Sequence, residues 1–87
     1  MTRWQRAPGV VWRRSDSKVV LLPEETDELL VLAGTGALTW ELLAEPLDET
    51  ELVALFAEAS DTPGEVVAGT LRPFLDGLEQ AGAALRR

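Results

Sequence analysis

Cysteine, histidine and tyrosine are all missing from the 87 residues. Without cysteine there are no disulfides, no thiolate metal sites and no thiol nucleophile. Without histidine there is no ordinary zinc site, no serine–histidine triad and no side chain whose unperturbed pKa lies near neutrality. Lysine occurs once, as Lys18, and Ser15, Ser17 and Ser60 stand in polar, turn-like surroundings. The chain is therefore expected not to be an enzyme, to carry no catalytic residue and no metal ligand, and to fold without a cofactor. Long apolar runs are missing too: nothing approaches the ~20 residues that span a bilayer, and Met1-Thr2-Arg3-Trp4 lacks the apolar stretch of a signal peptide. A cytoplasmic protein with no membrane partner is the expectation.

What is present suits a globular domain. The apolar share of 46% and the charged share of 26% are those of an ordinary folded protein. A chain of this length supplies one buried core, so residues 1–87 are expected to form a single domain, with the arm 1–8 flexible. Charge is uneven along it. The first eighteen residues hold Arg3, Arg6, Arg13, Arg14 and Lys18 against Asp16, whereas Val19 to Leu71 holds carboxylates from Glu24 to Glu65 and no basic residue. With a net charge of −7 overall, the body repels polyanions, and no nucleic-acid partner is expected.

Local patterns give the order of elements. Val10 to Arg14 and Lys18 to Leu22 are β-type runs joined by the turn Ser15-Asp16-Ser17, and Glu28 to Ala33 is a third after a turn at Pro23 to Thr26. Connections this short allow only an antiparallel meander. Three helices follow. The first spans Ala37 to Ala44 with Thr35 as its cap. The second opens with a capping box, Asp48 with Glu51, and a hydrophobic staple, Leu47 with Leu52, and carries a stripe of Leu52, Leu55, Phe56 and Ala59. The third starts from Thr62-Pro63, buries Val67, Leu71, Phe74 and Leu78, and closes at Ala81-Gly82. Pro73 predicts a bend or break near Gly69 to Arg72, with the small Gly69 easing its ring. The tail 83–87 is either a short strand or loose. The fold class is α+β: a three-stranded antiparallel meander, then three helices, winged-helix-like in outline.

Several sites can be weighed from residue types. Gly34-Thr35-Gly36 before a helix resembles a phosphate-binding turn, but lacks the third glycine of a dinucleotide fingerprint and the Lys-Ser/Thr of a P-loop, and is better taken as a tight turn. Glu24, Glu25, Asp27 and Glu28 do not have the spacing of a calcium loop and fit a solvated turn. The second and third helices resemble a DNA-reading pair, but Glu65, Asp76 and Glu79 outweigh Arg72 on the helix that would meet phosphates. The outer edge of the third strand remains. Either it accepts an extended peptide by β-augmentation, or it is covered by the third helix or by a second copy of the chain.

The run Leu32 to Leu43, with its Trp40-Glu41-Leu42-Leu43 box, the Glu51-Leu52-Val53 helix start, and Phe74-Leu75-Asp76-Gly77-Leu78 followed by Gly82, resembles the PqqD family. Its members are also called RiPP recognition elements, and the resemblance covers about Val10 to Leu85. It implies a stand-alone, leader-peptide-binding protein: a peptide chaperone in natural product biosynthesis. Such a protein takes the leader of a ribosomally made precursor peptide as an added strand and presents it to a separate modifying enzyme, such as a radical-SAM protein or a leader peptidase with its cyclase. The implied peptide-binding residues are Glu28, Leu29, Leu30, Val31 and Leu32 on the strand, and Ala68, Arg72, Leu75 and Asp76 on the outward side of the third helix. Two features depart from the family pattern: Gly34-Thr35-Gly36 stands where many members have an asparagine-containing turn, and Pro73 lies inside the third helix. The alternatives are a winged-helix nucleic-acid-binding or regulatory protein, and a dimerisation module whose edge strand is occupied by its own partner in a homodimer.

Overall fold

The computed structural model describes residues 2–24 and 28–87. In chain order these residues form β1 (Arg3–Arg6), β2 (Val11–Ser15), β3 (Lys18–Leu22), β4 (Leu30–Ala33), α1 (Thr35–Leu42), β5 (Leu47–Asp48), α2 (Glu49–Ser60), α3 (Gly64–Gln80) and β6 (Ala84–Arg86). The protein is α+β, and the antiparallel sheet β2-β3-β4 followed by three helices is the arrangement the sequence predicts. The expected third strand is shorter than its apolar run: β4 begins at Leu30, and Glu28 and Leu29 precede it. Glu25, Thr26 and Asp27, assigned to the turn before it, lie outside the described residues.

A second antiparallel sheet, β5-β1-β6, takes in Arg3–Arg6 of the N-terminal arm. Trp4 is the reason. Its indole is 1% exposed, and the strand that carries it pairs with both Leu47 and Arg86, whose guanidinium lies 5.2 Å from the ring centroid. Burying a side chain of that area offsets much of the cost of ordering four residues of backbone, whose polar groups the paired strands satisfy. Arg3 and Arg87 then exchange backbone hydrogen bonds of 2.7 and 2.9 Å.

Arg6, at the end of β1, ties the second sheet to the meander. Its Nε and Nη2 donate to the Trp40 carbonyl at 3.1 and 2.6 Å, occupying an acceptor in the last turn of α1. Its guanidinium carbon sits 4.7 Å from the ring centroids of both Trp12 and Trp40. Burial lowers the pKa of this guanidinium from its ordinary value, and it remains charged, as arginine does in proteins. The two indoles meet edge to face at 6.1 Å and 72°.

The helices follow their local signals with three differences. At α2 the capping box is present: the Asp48 carboxylate accepts from the Glu51 N–H at 2.7 Å, and the Glu51 carboxylate accepts from the Asp48 N–H at 3.1 Å. Leu52 and Phe56 are its buried residues, while Leu55 and Ala59 of the expected stripe are exposed. The first difference is that Gly34, not Thr35, precedes α1, and Thr35 is the first helical residue. The second is at α3, which begins at Gly64 with Pro63 in the cap position, the Thr62 hydroxyl donating to the Ser60 carbonyl instead. The third is that α3 runs through Pro73 as one helix, without the expected break. A Cβ placed on Gly69 would meet nothing within 4 Å, so that glycine is not making room for the proline ring. The C-terminus is as expected, with Gly82 at φ +80° and the Ala83 N–H returning to the Leu78 carbonyl at 2.9 Å.

The core lies between the inner face of the meander, through Val19, Leu21 and Leu32, and the helices, through Trp40, Leu52, Phe56 and Leu71. Among the described residues, no helix is long and apolar enough to cross a membrane. Trp4→Ala is expected to destabilise the fold by about 3–5 kcal/mol in urea denaturation, the usual cost of removing a buried tryptophan. Gly69→Ala is expected to stabilise it by about 0.5–1 kcal/mol, because the helix gains an alanine and no neighbour is displaced.

Candidate functional site

β4 has one strand neighbour among the described residues, β3, and is an edge of its sheet. Which of its backbone groups face outward follows from the turn two strands away. Asp16 and Ser17 alone connect β2 to β3, with Asp16 at φ +55°, and Ser15 is paired with Lys18. In a two-residue hairpin that closing pair is hydrogen-bonded, and bonded and non-bonded pairs alternate along an antiparallel ladder. Val19 and Leu21 therefore turn their backbone groups towards β4, making Leu32 and Leu30 their bonded partners. The N–H and C=O of Val31 and Ala33 point away from β3, to the open edge.

Side chains alternate in the same register. Leu32 is buried against the core, and Val31 projects from the opposite face with 60% of its surface exposed. Of the five strand-side residues expected to form the site, Leu30, Val31 and Leu32 lie in β4, while Glu28 and Leu29 are exposed residues just before it.

On the helix side the expected set does not come together at this edge. Leu75 is 0% exposed: it belongs to the core and is not an outward residue of a trough. The register of α3 is shifted by one position there, so the inward set is Val67, Leu71, Leu75 and Leu78, and Phe74 is only partly buried. Ala68 lines a hollow of about 240 Å³ with Glu49, Thr50 and Val53 of α2. Arg72 bonds Glu49 at the start of α2 at 3.0 Å and lies 3.6 Å from Asp76 in an i,i+4 pair. Ala68 and Arg72 thus face α2, and Arg72 already has two carboxylate partners.

The aromatic that α3 does turn towards β4 is Phe74, which sequence periodicity assigned to the core. A Cβ on Gly36 would lie 3.2 Å from the Phe74 Cζ and 3.5 Å from the Leu32 Cβ. The glycine thus lets the ring approach the junction of β4 and α1. Leu32 and Gly36 are buried there and Phe74 partly buried, so that an apolar junction lies beside the free edge.

Among the described residues, no group of three or more acidic side chains is placed to hold a metal ion. What the edge offers is a row of backbone donors and acceptors next to apolar side chains, the equipment of a small module that accepts a strand. The family model described as "Coenzyme PQQ synthesis protein D (PqqD)" matches residues 18–83, and the chain belongs to the PqqD family. Membership makes it an accessory protein in the biosynthesis of PQQ and related peptide-derived products. No curated protein and no solved structure matches the chain.

Leu75→Ala is expected to cost about 2–5 kcal/mol of stability, as a buried leucine does. Arg72→Ala, which removes only exposed ion pairs, is expected to cost less than about 1 kcal/mol. Urea titrations of the two variants separate these values.

Proposed function

We propose that the protein binds the leader segment of a ribosomally synthesised precursor peptide as an added strand on β4, and presents that peptide to a separate modifying enzyme. The observation that carries this reading is the edge position of β4, with the N–H and C=O of Val31 and Ala33 turned outward by the register. Membership of the PqqD family supports it. A peptide strand beside β4 places alternate side chains on the two faces of the sheet. Those opposite Leu30 and Leu32 lie on the side of the partly buried Leu30 and Phe74, and supply apolar anchoring. Those opposite Val31 project to the outer face.

Each backbone hydrogen bond contributes a net ~0.5–1.5 kcal/mol, so four or five of them with one or two buried anchors give roughly micromolar affinity or tighter. The reading has no place for acid–base chemistry by the protein itself. The enzyme supplies the reaction, and this chain supplies the peptide in an extended form.

The same register yields the test. Proline at position 31 removes an N–H that points to the open edge and leaves the bonded pairs Val19–Leu32 and Leu21–Leu30 intact. Val31→Pro is expected to weaken binding of a labelled leader peptide from a neighbouring short open reading frame by at least tenfold. The thermal transition should stay within a few degrees of the parent. Unchanged affinity in the folded variant would reject docking on β4.

A further inference from the structure

The meander has a second face that neither the core nor the β4 edge uses. Register puts Arg13, Val20 and Val31 in one cross-strand row and Val11 beside Leu22 in another. Strand alternation turns these residues away from buried Val19, Leu21 and Leu32. Val11 is 67% exposed and Leu29 is 64% exposed. A shallow hollow of about 290 Å³ opens there, lined by Val11, Arg13, Val20, Leu22 and Leu29 among others. A contiguous apolar surface of this kind on a small chain marks a place where something docks.

Charge indicates what. Arg13 lies in the first of these rows and Lys18, on the same face, in a third row with Ser15 and Ala33, and neither has an ion pair or a side-chain hydrogen bond among the described residues. Several other cations are matched: Arg14 by Glu41, Arg72 by Glu49 and Asp76, Arg86 by Glu79. On a chain of net charge −7, this face combines exposed apolar side chains with two cations that have no carboxylate partner among the described residues. A second copy packed across a two-fold axis would bring like cations together in a drying interface, which disfavours it. An anionic bilayer would meet two cations on this face and be repelled by the acidic body around it. The complement is a protein surface that is apolar in its middle and bears carboxylates opposite Arg13 and Lys18.

We propose that the outer face of β2-β3-β4 is the docking surface for the modifying enzyme, which meets it with an acid-bearing apolar patch. This rests on the preceding reading in one respect, that a separate enzyme acts on the peptide held at β4. The two partners use different groups of the same strand. The peptide takes the backbone N–H and C=O of Val31, and the enzyme takes its side chain. Both bind at once, and the peptide side chains opposite Val31 lie at the border of the enzyme.

The test uses the full chain, the purified modifying enzyme encoded beside its gene, and the leader peptide from the neighbouring short open reading frame, titrated separately. Val11→Ser and the double variant Arg13→Glu with Lys18→Glu change exposed side chains away from the β4 edge. Each is expected to weaken enzyme binding at least tenfold while leader affinity stays within twofold and the melting transition is retained. Enzyme binding that is undetectable in the parent chain, or unchanged in both variants, overturns the proposal. So does a concentration-dependent dimer in sedimentation that Val11→Ser abolishes, which would give the face to a second copy. Absence of leader binding by the parent chain would instead sink the reading of β4 and leave the enzyme titration to be judged on its own.

Discussion

A two-residue turn governs the open edge of the sheet. Because only Asp16 and Ser17 separate β2 from β3, Ser15 and Lys18 close the hairpin as a bonded pair. The alternation then passes across β3 to β4 without freedom to slip. A one-residue slip in that pairing would exchange the inward and outward sets of backbone groups on β4. It would also carry Leu32 from the core to solvent. The apolar pattern of Val19, Leu21 and Leu32 holds the same register from the other side, since those residues must all face the helices. Turn and core agree, and that agreement gives the open edge a defined set of donors and acceptors.

The second organising contact is the Arg6 guanidinium between Trp12 and Trp40. It joins an N-terminal strand, the first strand of the meander and the first helix, and it occupies a carbonyl that the end of α1 leaves open. In doing so it makes the arm part of the fold. The unevenness of charge along the chain takes on a different meaning in space. Of the cations in the first eighteen residues, Arg6 is spent on the tryptophan pair and Arg14 on Glu41, while Arg13 and Lys18 remain on one face of the sheet.

Short-range signals in the sequence were informative wherever the structure is local. The β2–β3 hairpin, the capping box at Asp48 and Glu51, and the glycine closure after α3 depend on neighbours within a few residues, and all three stand as the sequence implies. The strands β1 and β5 were not legible in the same way, and β6 was legible only as one of two readings of the tail 83–87. They are two to four residues long, and β1 pairs with the middle of the chain on one side and its far end on the other, so no window contains both partners. The alternation of buried Trp4 with exposed Arg3 was the one available hint. On the strand side of the candidate site, Leu30 to Leu32 could be read because an apolar run bounded by turns has few alternatives. The helix side could not. Phe74 and Leu75 are adjacent and both apolar, and spacing alone accepts either as the inward residue. The choice is made by Gly36, thirty-eight positions away, which lets the Phe74 ring approach β4 and leaves Leu75 to fill the core.

The tryptophan cluster has a further consequence for how the molecule reports on itself. With no tyrosine in the chain, near-ultraviolet absorption above the phenylalanine band comes entirely from three indoles. Trp12 and Trp40 are held in a fixed perpendicular geometry on different elements, and Trp4 is sealed in the other sheet. Chiral optical signals from that wavelength range therefore register the docking of the meander on the first helix directly. Emission wavelength follows the wetting of the small sheet as well as the core, and no introduced dye is needed to follow either.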